Sequence, residues 1–238
     1  MNPTSRAIGA AAAFATAPAV VLGLILLFAA SWVAGVVVFV VVAAALAAWA
    51  RLGGDRRIES RLGGRPADPR TEARLCNLVD GLSTGAGVRH PRIIVVDSPG
   101  LNAMAFGTSP ARATVAVTSG LLAELDRIEL EAVLAEELYL IRHQETLPGT
   151  VLAATFGVAR SFVVRADHDA TADQGAVSLT RYPPALASAL EKLESKGAVV
   201  AGQPAWMAHL WLADPRPGPP PAPGRLPLHD RIEALREL

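Results

Sequence analysis

A chain of 238 residues, 51% of them hydrophobic, has room for one domain of ordinary size plus membrane-embedded segments. Its 22 basic and 22 acidic residues cancel, so no global field points to nucleic acid, and its single cysteine, Cys76, excludes an internal disulfide and a multi-cysteine metal site. The mean hydropathy of +0.34 is high for a soluble protein.

No charged residue falls between Arg6 and Arg51. That gap is too long for the apolar region of a signal peptide. It holds two stretches, near Ala13–Ala30 and Trp32–Ala50, of roughly 18–20 residues each, the length that a bilayer core of about 30 Å requires. The expected arrangement over residues 1–50 is a transmembrane helical hairpin turning around Ser31; the other reading is one span with an apolar lead-in. Trp32 and Trp49 suit interfacial anchors, although Trp49 could equally face the other helix. Arg51, Arg56, Arg57, Arg61, Arg65 and Arg70 follow the second stretch, and the turn between the stretches has no basic residue. This bias places both ends of the hairpin, and all that follows, on the cytoplasmic side of the cell's inner membrane. The same arginines suit anionic lipid headgroups.

Residues 51–68, punctuated by Gly53-Gly54 and Gly63-Gly64, are expected to be a juxtamembrane linker. Asp68-Pro69 reads as a helix start, with Leu75, Leu78, Val79 and Leu82 as its apolar face. Arg92–Val96 and Ala113–Thr118 read as strands, the first ended by the turn Asp97-Ser98-Pro99-Gly100. Between them lies Leu101–Gly107, LNAMAFG, in which Asn102 and Gly107 could simply shape a hairpin. Asp126 followed by Glu129 is a capping-box signature, and Ile128, Val133, Leu134, Leu138 and Ile141 give one apolar face of a helix to about His143. Leu147–Val164 is apolar around a single charge, Arg160, and is too short for two spans; it suits one buried or interfacial helix. Pro183 opens another helix. Residues 214–224 form a Pro-rich linker, and residues 225–238 are expected to be a closing helix packed back on the domain, with Ile232 and Leu235 inward.

The central helix carries more than a core pattern. Glu136-Glu137-Leu138-Tyr139-Leu140 stands where the HtpX-like membrane zinc metallopeptidases, relatives of the CaaX prenyl proteases, have H-E-x-x-H, and the flanking run SGLLAELDRIELEAV resembles that family. The resemblance implies an α+β fold in which a mostly helical zincin-like domain with a small sheet, here residues 69–213, follows the membrane hairpin. It implies that Glu137 matches the general-base glutamate, while Glu136 and Leu140 replace the two histidines that bind zinc. The family's E-x-x-A-D falls on Asp169, Ala172 and Asp173, with a carboxylate one methylene short at the third ligand position. LNAMAFG is similar to the family's N-A-x-x-x-G cleft strand, which makes Asn102, Ala103 and Gly107 candidates for pairing with an extended peptide. The ending Arg231-Ile232-x-x-Leu235 is also similar to the family's.

These substitutions lead to the expectation of a pseudopeptidase: Glu136, Glu137, Leu140, Asp169 and Asp173 as vestigial positions, no metal ligands, no cofactor because zinc is lost, and no enzymatic activity. His168 is the best spare imidazole. Tyr139 and Leu140 are expected to fill the cleft. Glu136, Glu137 and Asp169 would face one another, with Arg142 or Arg165 as a partner, or Glu136 and Glu137 would turn to solvent. The expected role is an accessory subunit in contact with membrane lipid and a membrane-protein partner, with no nucleic acid. The alternatives are a zinc-dependent membrane metalloendopeptidase with substituted ligands, or a binder that holds extended peptides without cutting them.

Overall fold

The computed structural model describes residues 16, 18–23, 25, 32–154, 168–218 and 225–238. The first expected span, Ala13–Ala30, and the second half of the apolar stretch Leu147–Val164 lie largely outside them, as does Arg165. The first long helix, α1, runs Trp32–Leu62 over 31 residues. Val33, Val36, Val37, Val40 and Val41 on it are exposed. Among the described residues no helix is long and apolar enough to cross a membrane, so the hairpin is not established here.

The expected linker at 51–68 is in large part this same helix. Gly53 and Gly54 do not break it: a Cβ on Gly54 would stand 3.1 Å from Thr150 and 3.4 Å from Ala154, so the glycine admits a close helix neighbour instead of marking a turn. Ile58 and Leu62, on the last two turns, are fully buried. Asp55 is buried too. Its carboxylate accepts the Thr108 N–H at 2.9 Å and the Thr108 hydroxyl at 3.0 Å, and it pairs with Arg112 at 2.6 Å. The second half of α1 is therefore part of the domain.

A four-stranded sheet follows, with β1 at Arg65–Pro66, β2 at Arg92–Val96, β3 at Ala103–Phe106 and β4 at Thr114–Thr118, in the order β1-β2-β4-β3. β2 and β4 are parallel, and β3 runs antiparallel to β4 with Ala103 opposite Val117. Strand alternation sends Val95, Ala103, Ala105, Val115 and Val117 to one face and Ile94, Val96, Met104, Phe106 and Ala116 to the other. The first face is covered by α2 (Ala73–Ala86), by the central helix α4 (Arg127–Arg142) and by α7 (Pro183–Lys196) and α8 (Leu228–Arg236), which pack on one another. The second face is covered by Ile58 and Leu62 of α1, by Ala153 of α5 (Thr146–Ala154), and by Met207, Leu210 and Trp211 in and after a 3₁₀ turn at Ala205–Leu210. A short helix α3 (Ser119–Glu124) leads into α4, and α6 (His168–Thr180) packs along it.

The start of α4 has the expected capping box: Asp126 accepts the Ile128 and Glu129 N–H groups, and Glu129 reaches back to the Asp126 N–H. Ile128, expected inward, is 55% exposed, while Glu129 is buried and paired with Lys192 and Ser188 of α7. A partner for the carboxylate, not apolarity, decides which side of the first turn faces the core.

Candidate active site

Glu136 and Glu137 lie in the middle of α4, 4% and 1% exposed; neither turns to solvent. Asp169 and Asp173, one turn apart on α6, are buried opposite them. The carboxylates are drawn together by two arginines from the last part of the chain. Arg231 of α8, 1% exposed, donates to Glu136 at 2.9 Å and forks onto both oxygens of Asp173, and it also donates to the Leu212 carbonyl at 3.0 Å. Arg225 pairs with Asp169 at 3.0 Å and spans the carbonyls of His209, Trp211 and Leu212. Asp169 also accepts the Leu226 N–H at 2.9 Å and lies 3.3 Å from His168 Nδ1. Arg142, one pairing candidate named from sequence, is not among the partners of these carboxylates; the other, Arg165, lies outside the described residues.

A signal for Arg231 was present. It stands one turn before Leu235, on the inward face of the closing helix, and a cation on an apolar face requires an anion beneath it. Arg225 had no such sign, because it follows the Pro-rich stretch.

The electrostatics follow from this enclosure. Burial pushes the Glu136 carboxyl well above the usual carboxylate range; Arg231 pulls it back, while Asp173, Glu137 and Asp169 push it further up. Burial raises Glu137 to about 8, against the pull of Arg225, Arg231 and the Ala105 N–H of β3, so Glu137 holds a proton at neutral pH. Burial is the strongest single influence on Asp169 and acts upward, but Arg225, His168 and Arg231 together outweigh it, and Asp169 stays ionised far below the ordinary range. Glu136 Oε2 and Glu137 Oε2 meet no hydrogen-bond donor among the described residues.

Leu140, where the second histidine would stand, offers no donor atom. Beside it, Tyr139, Leu140, Glu145, His168, Thr171 and Ala172 line a cleft of only about 10 Å³. The Tyr139 ring lies flat against Gly175, where an added Cβ would come within 2.2 Å of it, and 4.2 Å from the His143 ring. The three peptide-pairing candidates are buried at or beside β3. Asn102 is fully buried, and its side-chain amide donates to the carbonyls of Ala198 and Ala213. Ala103 O accepts the Leu212 N–H at 2.7 Å. The Gly107 N–H donates to the Thr150 hydroxyl at 2.8 Å, and a Cβ at Gly107 would lie 2.8 Å from Ala113 Cα.

Comparison with known proteins places this geometry in context. Residues 69–194 match the model of Peptidase family M48. The chain is 32% identical over 197 residues to a protein named Protease HtpX homolog from Tropheryma whipplei strain Twist, covering 65% of this chain and 68% of that protein. It is 34% identical over 211 residues to the homolog of the same name from Dictyoglomus thermophilum, 69% of each chain. A shorter stretch of 103 residues is 44% identical to that of Acidiphilium cryptum, 43% of this chain and 36% of the relative.

Two expectations are overturned by these matches. The relatives carry the name of a protease and the matching family is one of peptidases, so the reading as an inactive accessory subunit is withdrawn. The expectation of no cofactor falls with it, because it was drawn from that same reading of a zinc family. The residues as arranged here nevertheless do not fit a zinc ion. Such an ion takes about three protein ligands in tetrahedral reach. Glu136, Asp169 and Asp173 are engaged by two guanidinium groups, Leu140 has nothing to donate, and among the described residues no cluster of three His, Cys, Asp or Glu stands where it could hold a metal.

Proposed function

The chain belongs to Peptidase family M48, and from that premise we propose that it is a membrane-associated protease that takes up polypeptide segments in extended form beside β3, with Glu137 as the carboxyl that moves a proton at the scissile bond. The observation that carries this reading is the position of Glu137. It is buried on the helix that packs against β3, and burial holds its carboxyl at about 8. A group that exchanges its proton near the working pH is suited to general acid–base catalysis, and a sheet edge is a common way to present a peptide backbone to such a group. Asp169 and Asp173 position the surrounding arginines and do not touch the substrate. The membrane part rests on the outward valines of α1 and on Arg57, whose guanidinium lies 3.2 Å over the Trp49 ring where the apolar half of the helix meets the charged half. Membrane lipid is the partner this flank suits, with the domain on the side carrying the arginines.

A second reading has its own support: binding without cleavage. Arg225 and Arg231 neutralise three of the four carboxylates, which leaves recognition intact and hydrolysis without a ready base. Full-length protein in mild detergent, incubated with fluorescently labelled casein, separates the two. Cleavage that Glu137→Gln abolishes, with binding retained, supports the protease. Binding with no cleavage by the unaltered chain supports the second reading, and neither binding nor cleavage refutes both.

A further inference from the structure

The side of β3 that faces away from β4 is already paired. Ala103 O accepts the Leu212 N–H, and Met104 and Trp211 form an antiparallel bridge. Asn102 clamps the same stretch from its end: Nδ2 donates to Ala213 O at 2.9 Å, and Oδ1 accepts the Ala213 N–H at 3.2 Å. Antiparallel backbone pairing on an edge is how a sheet receives an extended peptide. Trp211–Ala213 thus stands where such a peptide would lie, and the carbonyls of Trp211 and Leu212 are gripped by Arg225 and Arg231, the guanidiniums that also neutralise Asp169, Glu136 and Asp173.

We propose that Trp211–Ala213 is an autoinhibitory strap, an internal stand-in for an extended polypeptide that carries a bulky apolar side chain opposite Met104. This rests on the polypeptide-handling reading above. The side chain of the strap specifies the preference: Trp211 is 1% exposed and shares the second core with Met104, Phe106 and Met207. An incoming segment must refill that space, so a glycine there leaves a void and an aromatic or large aliphatic residue does not. Because Arg231 bonds Leu212 O and the carboxylates together, the strap and the ion pairs are released in one event. The stretch is bracketed by glycines at positive φ, Gly197 at 95° and Gly218 at 118°, where the backbone turns in a region that other residues rarely enter.

The test is a reversible lock. In a Cys76→Ala background, Met104→Cys with Trp211→Cys places two thiols on directly paired antiparallel residues, whose Cα atoms lie about 4.5–5.5 Å apart, within the reach of a disulfide. Circular dichroism confirms that both redox forms are folded. Binding is read by anisotropy with labelled Val/Thr pentapeptides bearing a central Trp or a central Gly. The reduced form is expected to bind the Trp peptide about tenfold more tightly than the oxidised form, since locking removes the binding-competent population, and to prefer it to the Gly peptide. In the unaltered chain, the Leu212 amide is expected to exchange hydrogen before the amides of the α4 core. Equal, measurable affinity of the oxidised and reduced forms overturns the strap and leaves the function standing. Exchange of Leu212 only together with α4 overturns it as well. Binding by neither form, nor of casein by the unaltered chain, overturns strap and function together.

Discussion

The start and the middle of one helix, α4, solve the same problem in different ways. At its start, Asp126 and Glu129 satisfy each other's backbone donors within three residues, and Lys192 and Ser188 then complete Glu129. Two turns later Glu136 and Glu137 have no local partner. Glu136 is met by Arg231, 95 residues away in sequence, and Glu137 lies in the pull of Arg225 and Arg231, from the same distant part of the chain. A polar group satisfied locally makes a helix end stable by itself. One satisfied from a distance makes three segments of the chain depend on a single guanidinium.

Removing that guanidinium breaks the comparison most severely. Arg231→Met leaves Glu136 and Asp173 buried without a counter-charge and is expected to cost about 3–5 kcal/mol in urea unfolding. A loss below about 1 kcal/mol would mean that the carboxylates find other partners. The second test concerns pH. Glu137 is held at about 8 in the folded chain, against about 4.3 for a free glutamate. Between these values the folded state keeps a proton that the unfolded state releases. Stability therefore falls as pH rises through this window, by at most about 1.4 kcal/mol per pH unit, and levels off above it. Glu137→Gln should make the profile of melting temperature against pH less steep from about 5 to 8, leaving the share of Glu136, which burial also raises; an unchanged slope would place the titration elsewhere.

Gly175→Ala presses a methyl into the Tyr139 ring and is expected to cost about 1–3 kcal/mol. Adding Tyr139→Ala should restore much of the loss, which a double-mutant cycle by thermal unfolding would report as strong coupling. The smallest effect belongs to the self-sufficient end. Asp126→Ala should cost about 1 kcal/mol, the value of a helix cap, and should leave peptide binding and the pH profile untouched.

This division also explains what could be read from the letters. The capping box, the β-branched strands at 92–96 and 114–118, and the helix opened by Pro183 depend on neighbours and were legible. The frame of the site was legible as well: Glu136, Glu137, Asp169 and Asp173 do come together between α4 and α6. What escaped were the features decided across distance. Arg225 arrives from beyond a Pro-rich stretch, and Arg231, though its inward face was legible, finds its anions on α4 and α6. Ile128 faces out because Glu129 has a lysine waiting on α7. Gly53-Gly54 reads as punctuation until α5 is seen lying against it. The occupation of β3 by Trp211–Ala213 depends on a chain reversal that no periodicity encodes.

The Asp55 clasp has a mechanical consequence. Because Asp55 is fastened to Thr108 and Arg112, and Ile58 and Leu62 are set into the second core, α1 enters the domain as a stiff spar and not as a cord. At about 1.5 Å per residue, the stretch from Trp49 to Leu62 fixes a standoff of roughly 20 Å. Whatever holds the outer end of the spar thereby dictates the height and the tilt of the sheet, and a residue inserted between Trp49 and Leu52, ahead of the clasp, would turn the sheet by about 100° around the axis.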